Sequence, residues 1–262
     1  MLKTLFHGQL QLGLAQAVVA GVAALLVVLM GRQRGVHLEK ELASAMVRGL
    51  VQIIAVGSIL LLLLRGPNWT SVFLLIVMIV AAGATSARRA KGMPQAFQVS
   101  TWAIACGAGS VIAVMTLLGV IDTPITTRVP VGSMLIANAM NTNGLALNRF
   151  RADVLAHVGE IETALALGAD AKSSVAPYVQ VAFEASLIPA IDSLRSLGIV
   201  WIPGLMAGML LSGARPVYAA IYQFVVLAMI FAGSGLTSLV STLLMRTRVM
   251  SRAEQLILRP GA

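Results

Sequence analysis

The feature that most constrains this chain is a succession of apolar runs, each near the roughly 20 residues that carry a helix across a bilayer core of about 30 Å. They are Leu10–Met30, Ala43–Leu64, Trp69–Ala87, Ser100–Ile121, Val131–Asn148, Leu197–Ser212 and Val217–Leu244. With 58% hydrophobic residues, 11% charged residues and a mean hydropathy of +0.90, the chain is not a soluble domain. Backbone groups in lipid must be satisfied within the spanning structure, which leaves helices or a closed barrel. The apolar runs are continuous rather than alternating, so helices are selected. The expected fold is all-α: a polytopic transmembrane helical bundle of about seven spans, with residues 1–262 forming one transmembrane domain.

Seven spans place the termini on opposite sides, and charge chooses the sides. With the N-terminus outside and the C-terminus cytoplasmic, fifteen Lys and Arg residues fall on inner segments. Four (Lys3, Arg65, Arg128 and Arg215) fall on outer ones. Such an excess is the positive-inside pattern. The net charge of +9 would point to nucleic acid in a soluble protein. Here the basic residues sit between apolar runs, so lipid headgroups and topology account for them, and no nucleic-acid partner is expected. Cys106 is the single cysteine, which excludes an intrachain disulfide. The first apolar run is long for a signal peptide and shows no convincing cleavage site, so a retained span is expected.

Between the fifth and sixth runs lies one long polar excursion, EIETALALGADAKSS, starting at Glu160. Its composition is helical, and an irregular loop of that length would be unusual. A helix that docks a soluble cytoplasmic partner is therefore expected over a passive connector, within a coupling and interfacial region spanning about residues 150–196. Gly168 interrupts good helix formers, so it ends a short helix or admits a close neighbour. Downstream, Val179, Phe183, Leu187, Ala190 and Leu194 share one helical face, while Gln180, Glu184, Asp192 and Arg195 share another. That pattern predicts an amphipathic helix at the inner interface, broken or kinked at Pro189.

The fifth run is too polar for a simple anchor. At 100° per residue Met134, Asn138, Asn141 and Asn148 form one stripe, and Asn143 points away from it. Polar side chains at membrane depth line a path or tie helices together. Both readings stay open for Met134, Asn138 and Asn141. In the second run Gln52 is a path candidate, whereas Arg48 snorkels to the surface. Gly204, Gly208 and Ser212 repeat at four-residue spacing, a small-residue stripe serving either packing within the chain or a dimer seam. Met206 and Met209 beside it are read as packing rather than metal ligands. His7, His37 and His157 are dispersed without metal-ligand spacing, and His157 is expected to pair with Asp153 at the surface. In GADAKSS, Ala171 stands where a phosphate loop needs glycine, so nucleotide binding by this chain is not expected.

Six ordered segments carry a family resemblance. They are R-G-L-V-Q from Arg48, G-S-M-L-I-A-N-A-M from Gly132, E-T-A-L-A-L-G-A from Glu162, L-I-P-A-I-D-S from Leu187, I-P-G-L-M-A-G from Ile202 and P-V-Y-A-A-I-Y-Q from Pro216. Together they resemble the Fet-type iron-export ABC permeases, a group that includes plant aluminium-tolerance half-transporters, over essentially the whole chain. The resemblance implies a permease subunit of the inner membrane, forming a homodimer of permeases with separate ATP-binding subunits that hold ATP and Mg; this chain itself would carry no cofactor. Glu162, Ala164 and Gly168 are also similar to the E-A-A…G coupling element of ABC importers, with Thr163 in place of its first alanine and Tyr178 in place of a later isoleucine. The resemblance thus implies coupling to the ATPase through Glu160, Glu162, Ala164, Gly168 and Asp170. The metal ligands stay unknown. An autonomous secondary transporter would want acidic groups buried in mid-span; all ten acidic residues are expected in loops or at interfaces. A membrane enzyme would need a nucleophile–base or metal cluster, and no such cluster is apparent.

Overall fold

Continuous apolar runs give long helices, and helices make up nearly all of the computed structural model over its described residues, which are 9–32, 39–63, 67, 69–90, 92–251 and 254–258. Lys3, His7, Arg34, His37, Leu64, Arg65, Lys91, Arg252 and Arg259, which figure in the sequence reading, lie outside them. The chain divides into two compact units, Met1–Gly66 and Pro67–Ala262. In the first, α1 (Gln9–Arg32) packs on α2 (Glu39–Leu63). The contact is close: a side-chain carbon at Gly21 would lie 3.1 Å from the Met46 Cε. Val27 and Ile53 are apolar and exposed, as lipid-facing residues must be.

The second unit contains α3 (Trp69–Arg89) and a rod made of α4 (Ala96–Ile104), a π turn (Ala105–Gly109) and α5 (Ser110–Leu117). Then come α6 (Ile125–Ala156), α7 (Val158–Ala166), α8 (Ala171–Ser196), α9 (Gly204–Leu211) and α10 (Pro216–Arg248). At 1.5 Å per residue α6 and α10 are each about 50 Å long, well beyond the hydrocarbon thickness. α6 is the central helix, packed by α3, α8 and α10. That position explains its low apolar content: its neighbours, not lipid, meet Gly132, Ala139, Thr142, Gly144 and Ala146. α3 and α6 run parallel, since Arg128 meets Ser71, a carbon on Gly132 would meet Leu75, and Asn143 meets Ser86.

Two layers of core separate the ends of this bundle. One joins Val120, Ile121, Leu194, Leu205 and Tyr222; the other joins Met93, Phe150, Val154, Ile161, Val175 and Met245. The second end carries Arg88, Arg89, Arg149, Arg151, Lys172, Arg246 and Arg248, against Arg128, Arg195 and Arg215 at the first. The positive-inside rule makes the second end cytoplasmic.

This arrangement corrects the sixth span. Leu197–Ser212 was expected to cross the membrane, but it holds only α9, whose eight residues reach about 12 Å. Ahead of α9, Gly198 adopts φ +77° and donates its N–H to the Trp201 carbonyl at 3.0 Å. The sixth crossing is made by α8 instead. Its start, Val175 and Val179, lies in the cytoplasmic core, and Leu194 near its end packs in the outer core. The interfacial helix expected there is thus a 26-residue span, and Pro177 and Pro189 lie inside it without ending it. Prolines are tolerated in spans where neighbouring helices cover the loosened turn. Membrane spans by length and hydropathy are met by α1, α2, α3, the α4–α5 rod, α8 and α10. Within the second unit the buried α6 supplies a further crossing, since its start packs in the outer core and its end in the cytoplasmic core.

Candidate functional site

At the cytoplasmic end α6 runs straight to Ala156, turns at His157, and continues as α7. Ile161 alone of α7 is fully buried, inserted among Phe150, Val154, Val175 and Val179, so the short helix is pinned to both α6 and α8. Its far end is closed by Gly168 at φ +89°. There the Gly168 N–H bonds the Leu165 carbonyl and the Ala169 N–H bonds the Ala164 carbonyl, both at 3.0 Å. This is the left-handed helix stop that glycine favours, so of the two sequence readings Gly168 ends a helix. Nothing lies within 4 Å of the side a side chain would occupy. Asp170 then caps α8, its carboxylate accepting from the N–H groups of Lys172 at 3.1 Å and Ser173 at 3.2 Å.

The result is a two-turn tip with one rooted residue and an uncovered outer face. Glu160, Glu162, Gly168 and Asp170 are exposed, Ala164 is half-buried, and Leu167 is 84% exposed. Tyr178, on the first turns of α8, donates to the Glu160 carboxylate at 3.3 Å and stacks on His157 at 5.1 Å between ring centres. The expected His157–Asp153 side-chain pair is not formed. Asp153 holds Arg149 at 2.9 Å, and the His157 ring meets the Asp153 backbone carbonyl instead. Beside the tip the chain after α10 folds back as a short hairpin. Ser251 N–H bonds Gln255 carbonyl and Ile257 N–H bonds Val249 carbonyl, each at 2.8 Å, while Leu256 and Leu258 enter the cytoplasmic core. A cleft of ≈ 730 Å³ separates hairpin and tip, lined by Glu162, Leu165, Gly168, Asp170, Glu254 and Gln255. Sequence reasoning missed this hairpin; the paired leucines after the last span were its one trace.

The asparagines of α6 divide as the helical wheel predicts, but inside and outside are assigned by the neighbours. Asn143, away from the stripe, is fully buried and donates to Ser86 Oγ at 2.7 Å and Ser100 Oγ at 2.9 Å, tying three helices together. Asn138 and Asn141 are exposed, as is Asn148, and Met134 is half-buried against the outer core. Asn138 donates back to the Met134 carbonyl at 2.8 Å. The stripe is therefore the one polar face of the central helix that its own bundle leaves open. Gln52 is exposed on α2 in the first unit.

Gly204 and Gly208 have nothing within 4 Å, and Ser212 merely bonds the Gly208 carbonyl, so this stripe does not serve packing among the described residues. On the other flank of α9, Met209 joins Asp122, Thr126, Thr127, Tyr218 and Tyr222 around an outer cleft of ≈ 230 Å³. Elsewhere small residues bring backbones together: Gly107 and Ala108 of the π turn lie directly against Gly233 and Thr237 of α10. Ser186 on α8 and Ser238 on α10 share a hydrogen bond of 2.7 Å. No group of three His, Cys, Asp or Glu side chains converges among the described residues. One acidic residue departs from the expected placement at loops and interfaces. Glu184 stands midway along α8, exposed, accepting from the Gln180 amide at 3.2 Å.

Residues 12–250 match the profile described as Uncharacterised protein family (UPF0014). Protein ALUMINUM SENSITIVE 3 of Arabidopsis thaliana is 31% identical, over 93% of this chain and 90% of its own length. UPF0014 membrane protein STAR2 of Oryza sativa subsp. japonica is 30% identical over 91% and 84%. Probable iron export permease protein FetB of Escherichia coli (strain K12) is 30% identical over 93% of both chains. No solved structure gives a significant match.

Proposed function

From its place in the UPF0014 family, to which this chain belongs as a multi-pass membrane protein, we propose that it is the permease subunit of an ABC transporter in the cytoplasmic membrane. A separate subunit binds and hydrolyses ATP with Mg, two permeases pair, and a metal ion is moved outward. The observation that carries this reading is the α7 tip. It is rooted by Ile161 in the core shared by α6 and α8, yet presents Glu160, Glu162, Leu167 and Gly168 to the cytoplasm. A push on such a tip is delivered to two spans at once, because a packed core transmits displacement rather than absorbing it. One of those spans is α6, whose open face carries Asn138 and Asn141. Amide groups at membrane depth facing acyl chains would be costly, whereas facing a water-filled path between subunits they are solvated. Two positions of α6 relative to that path, each favoured by one nucleotide state of the partner, would give alternating access. Gln52 and Met134 belong to the same proposal as path residues.

The metal cargo draws support from the relative named as a probable iron export permease and from the metal in the name ALUMINUM SENSITIVE 3. The reading is tested by co-expressing the chain with candidate ATP-binding subunits from the same genome, reconstituting each pair in liposomes and measuring ATP hydrolysis with and without Fe(II). Stimulated hydrolysis is expected, and it should be lost in Gly168→Lys. That change strains a φ of +89° and fills the open side of the tip. Membrane insertion of the variant should be normal. Equal hydrolysis by wild type and Gly168→Lys would overturn docking at α7.

A further inference from the structure

Placing α8 across the membrane moves one side chain from the interface to the interior. Glu184 is the fourteenth residue of the 26 in this span. The other acidic residues of the bundle lie at its ends: Asp122 outside α6, Asp153 to Asp170 around the cytoplasmic tip, Asp192 in the last turns of α8 and Glu254 in the terminal hairpin. An ionisable group held in a span faces a partner or a water-filled path, and marks the route of an ion or substrate.

Its depth is fixed by contacts. Gly107, at the middle of the rod from Ala96 to Leu117, lies against Thr237. Ser238, the next residue, bonds Ser186, which puts Ser186 near the midplane. Glu184 is two residues, about 3 Å, further toward the cytoplasm. On α6, Asn143 is bonded at the level of Ser100, seven residues or about 10 Å below Gly107. Counting back along α6 at the same rise sets Asn138 about 3 Å and Asn141 about 7 Å below Gly107. Glu184, at about 4–5 Å, falls between them.

We propose that Glu184, with the Gln180 amide beside it, is the charged element of a binding site for a multiply charged metal cation at mid-membrane depth, on the level of Asn138 and Asn141. The chemistry fits that class. A carboxylate and amide carbonyl oxygens are hard donors, and a bound metal cation offsets the charge of a carboxylate at this depth, as a proton would. Among the described residues no Lys or Arg ion-pairs with Glu184, and its side chain accepts a hydrogen bond from the neutral Gln180. That this ion is the exported cargo rests on the reading above; that Glu184 binds it does not.

The test uses the purified chain in nanodiscs and Mn(II), counted by electron paramagnetic resonance, with Glu184→Gln and Glu184→Asp. Glu184→Gln keeps the shape and removes the charge, so affinity should fall at least tenfold, while Glu184→Asp should retain part of it. Unchanged affinity in Glu184→Gln overturns the site. A second measurement needs no variant. A hydrophobic carbodiimide, which modifies carboxyl groups in apolar surroundings, should label Glu184 in the wild type, and Mn(II) should protect it. Labelling without protection also overturns the site, as a group that only exchanges protons would behave in this way. The two proposals fail separately. Glu184-dependent binding with no ATPase partner leaves the cation site standing without the ABC reading. Coupled ATP hydrolysis with no metal binding does the reverse.

Discussion

The contact of the π turn with α10 sets a sharp steric limit, and Gly107→Ala measures it. An added methyl carbon would sit 2.1 Å from Thr237 Oγ1, 2.5 Å from Thr237 N and 2.8 Å from the Gly233 carbonyl oxygen. Two of those atoms are backbone, so no rotamer change relieves them, and the helices must part by about 1 Å to restore ordinary van der Waals separation. Overpacking of this kind costs about 1–3 kcal/mol, and a backbone clash belongs at the upper end. Replacing glycine by alanine within a helix returns about 1 kcal/mol. The net expectation is a loss of roughly 2 kcal/mol, or about 4–8 °C in melting temperature for a chain of this size. The assay is thermal unfolding of the purified protein in detergent, with Gly233→Ala and Gly235→Ala alongside. At Gly233 the nearest atom is the Ala108 Cα at 3.4 Å, and at Gly235 nothing lies within 4 Å, so both should match the wild type or exceed it. Thr237→Ala should rescue Gly107→Ala only in part, because the Thr237 N and Gly233 O contacts remain. A Gly107→Ala protein as stable as the wild type would refute the close packing of the rod on α10, and with it the depth assigned to Ser186.

Other expectations concern the asparagines of α6. Asn143→Leu strands the hydroxyls of Ser86 and Ser100 in the interior and should cost about 2 kcal/mol, seen as a lower melting temperature. Asn148→Leu, on an exposed position, should stay within about 0.5 kcal/mol of the wild type. The double change Asn138→Ala with Asn141→Ala should leave unfolding unaltered. It should slow transport in reconstituted liposomes by about tenfold, the effect of losing roughly 1.4 kcal/mol of contact with the moving ion.

Much of the bundle is legible in the sequence because lipid imposes one simple demand, long apolar helices with basic residues inside. That demand weakens where a span is covered by protein. α6 and α8 carry Asn, Ser, Gln and Glu because neighbouring helices or an open polar face meet them, so α8 reads as an interfacial helix. Conversely Leu197–Ser212 is apolar enough to pass for a span. Gly198 and Pro203 break its backbone before a full crossing forms, which composition does not register. The helical wheel separates Asn143 from Asn138 and Asn141 correctly. Which side faces the core depends on the helices that pack there, information that a single helix does not contain. The α7 tip is legible for the opposite reason: its geometry is local, set by a glycine at a left-handed stop and an aspartate at the next cap. The terminal hairpin needs a distant surface to fold against and left little trace.

The central claim is that force from an ATP-hydrolysing partner enters through α7, and Leu167 reports on it most directly because it is 84% exposed at the point of the tip. With Cys106→Ala as background, Leu167→Cys should form a disulfide with one of a set of single cysteines placed over the surface of the co-expressed ATP-binding subunit. The yield should change when ATP is added. In intact cells the same thiol should resist a maleimide that cannot cross the membrane. Labelling from outside, or no cross-link at any of those positions, would contradict the account.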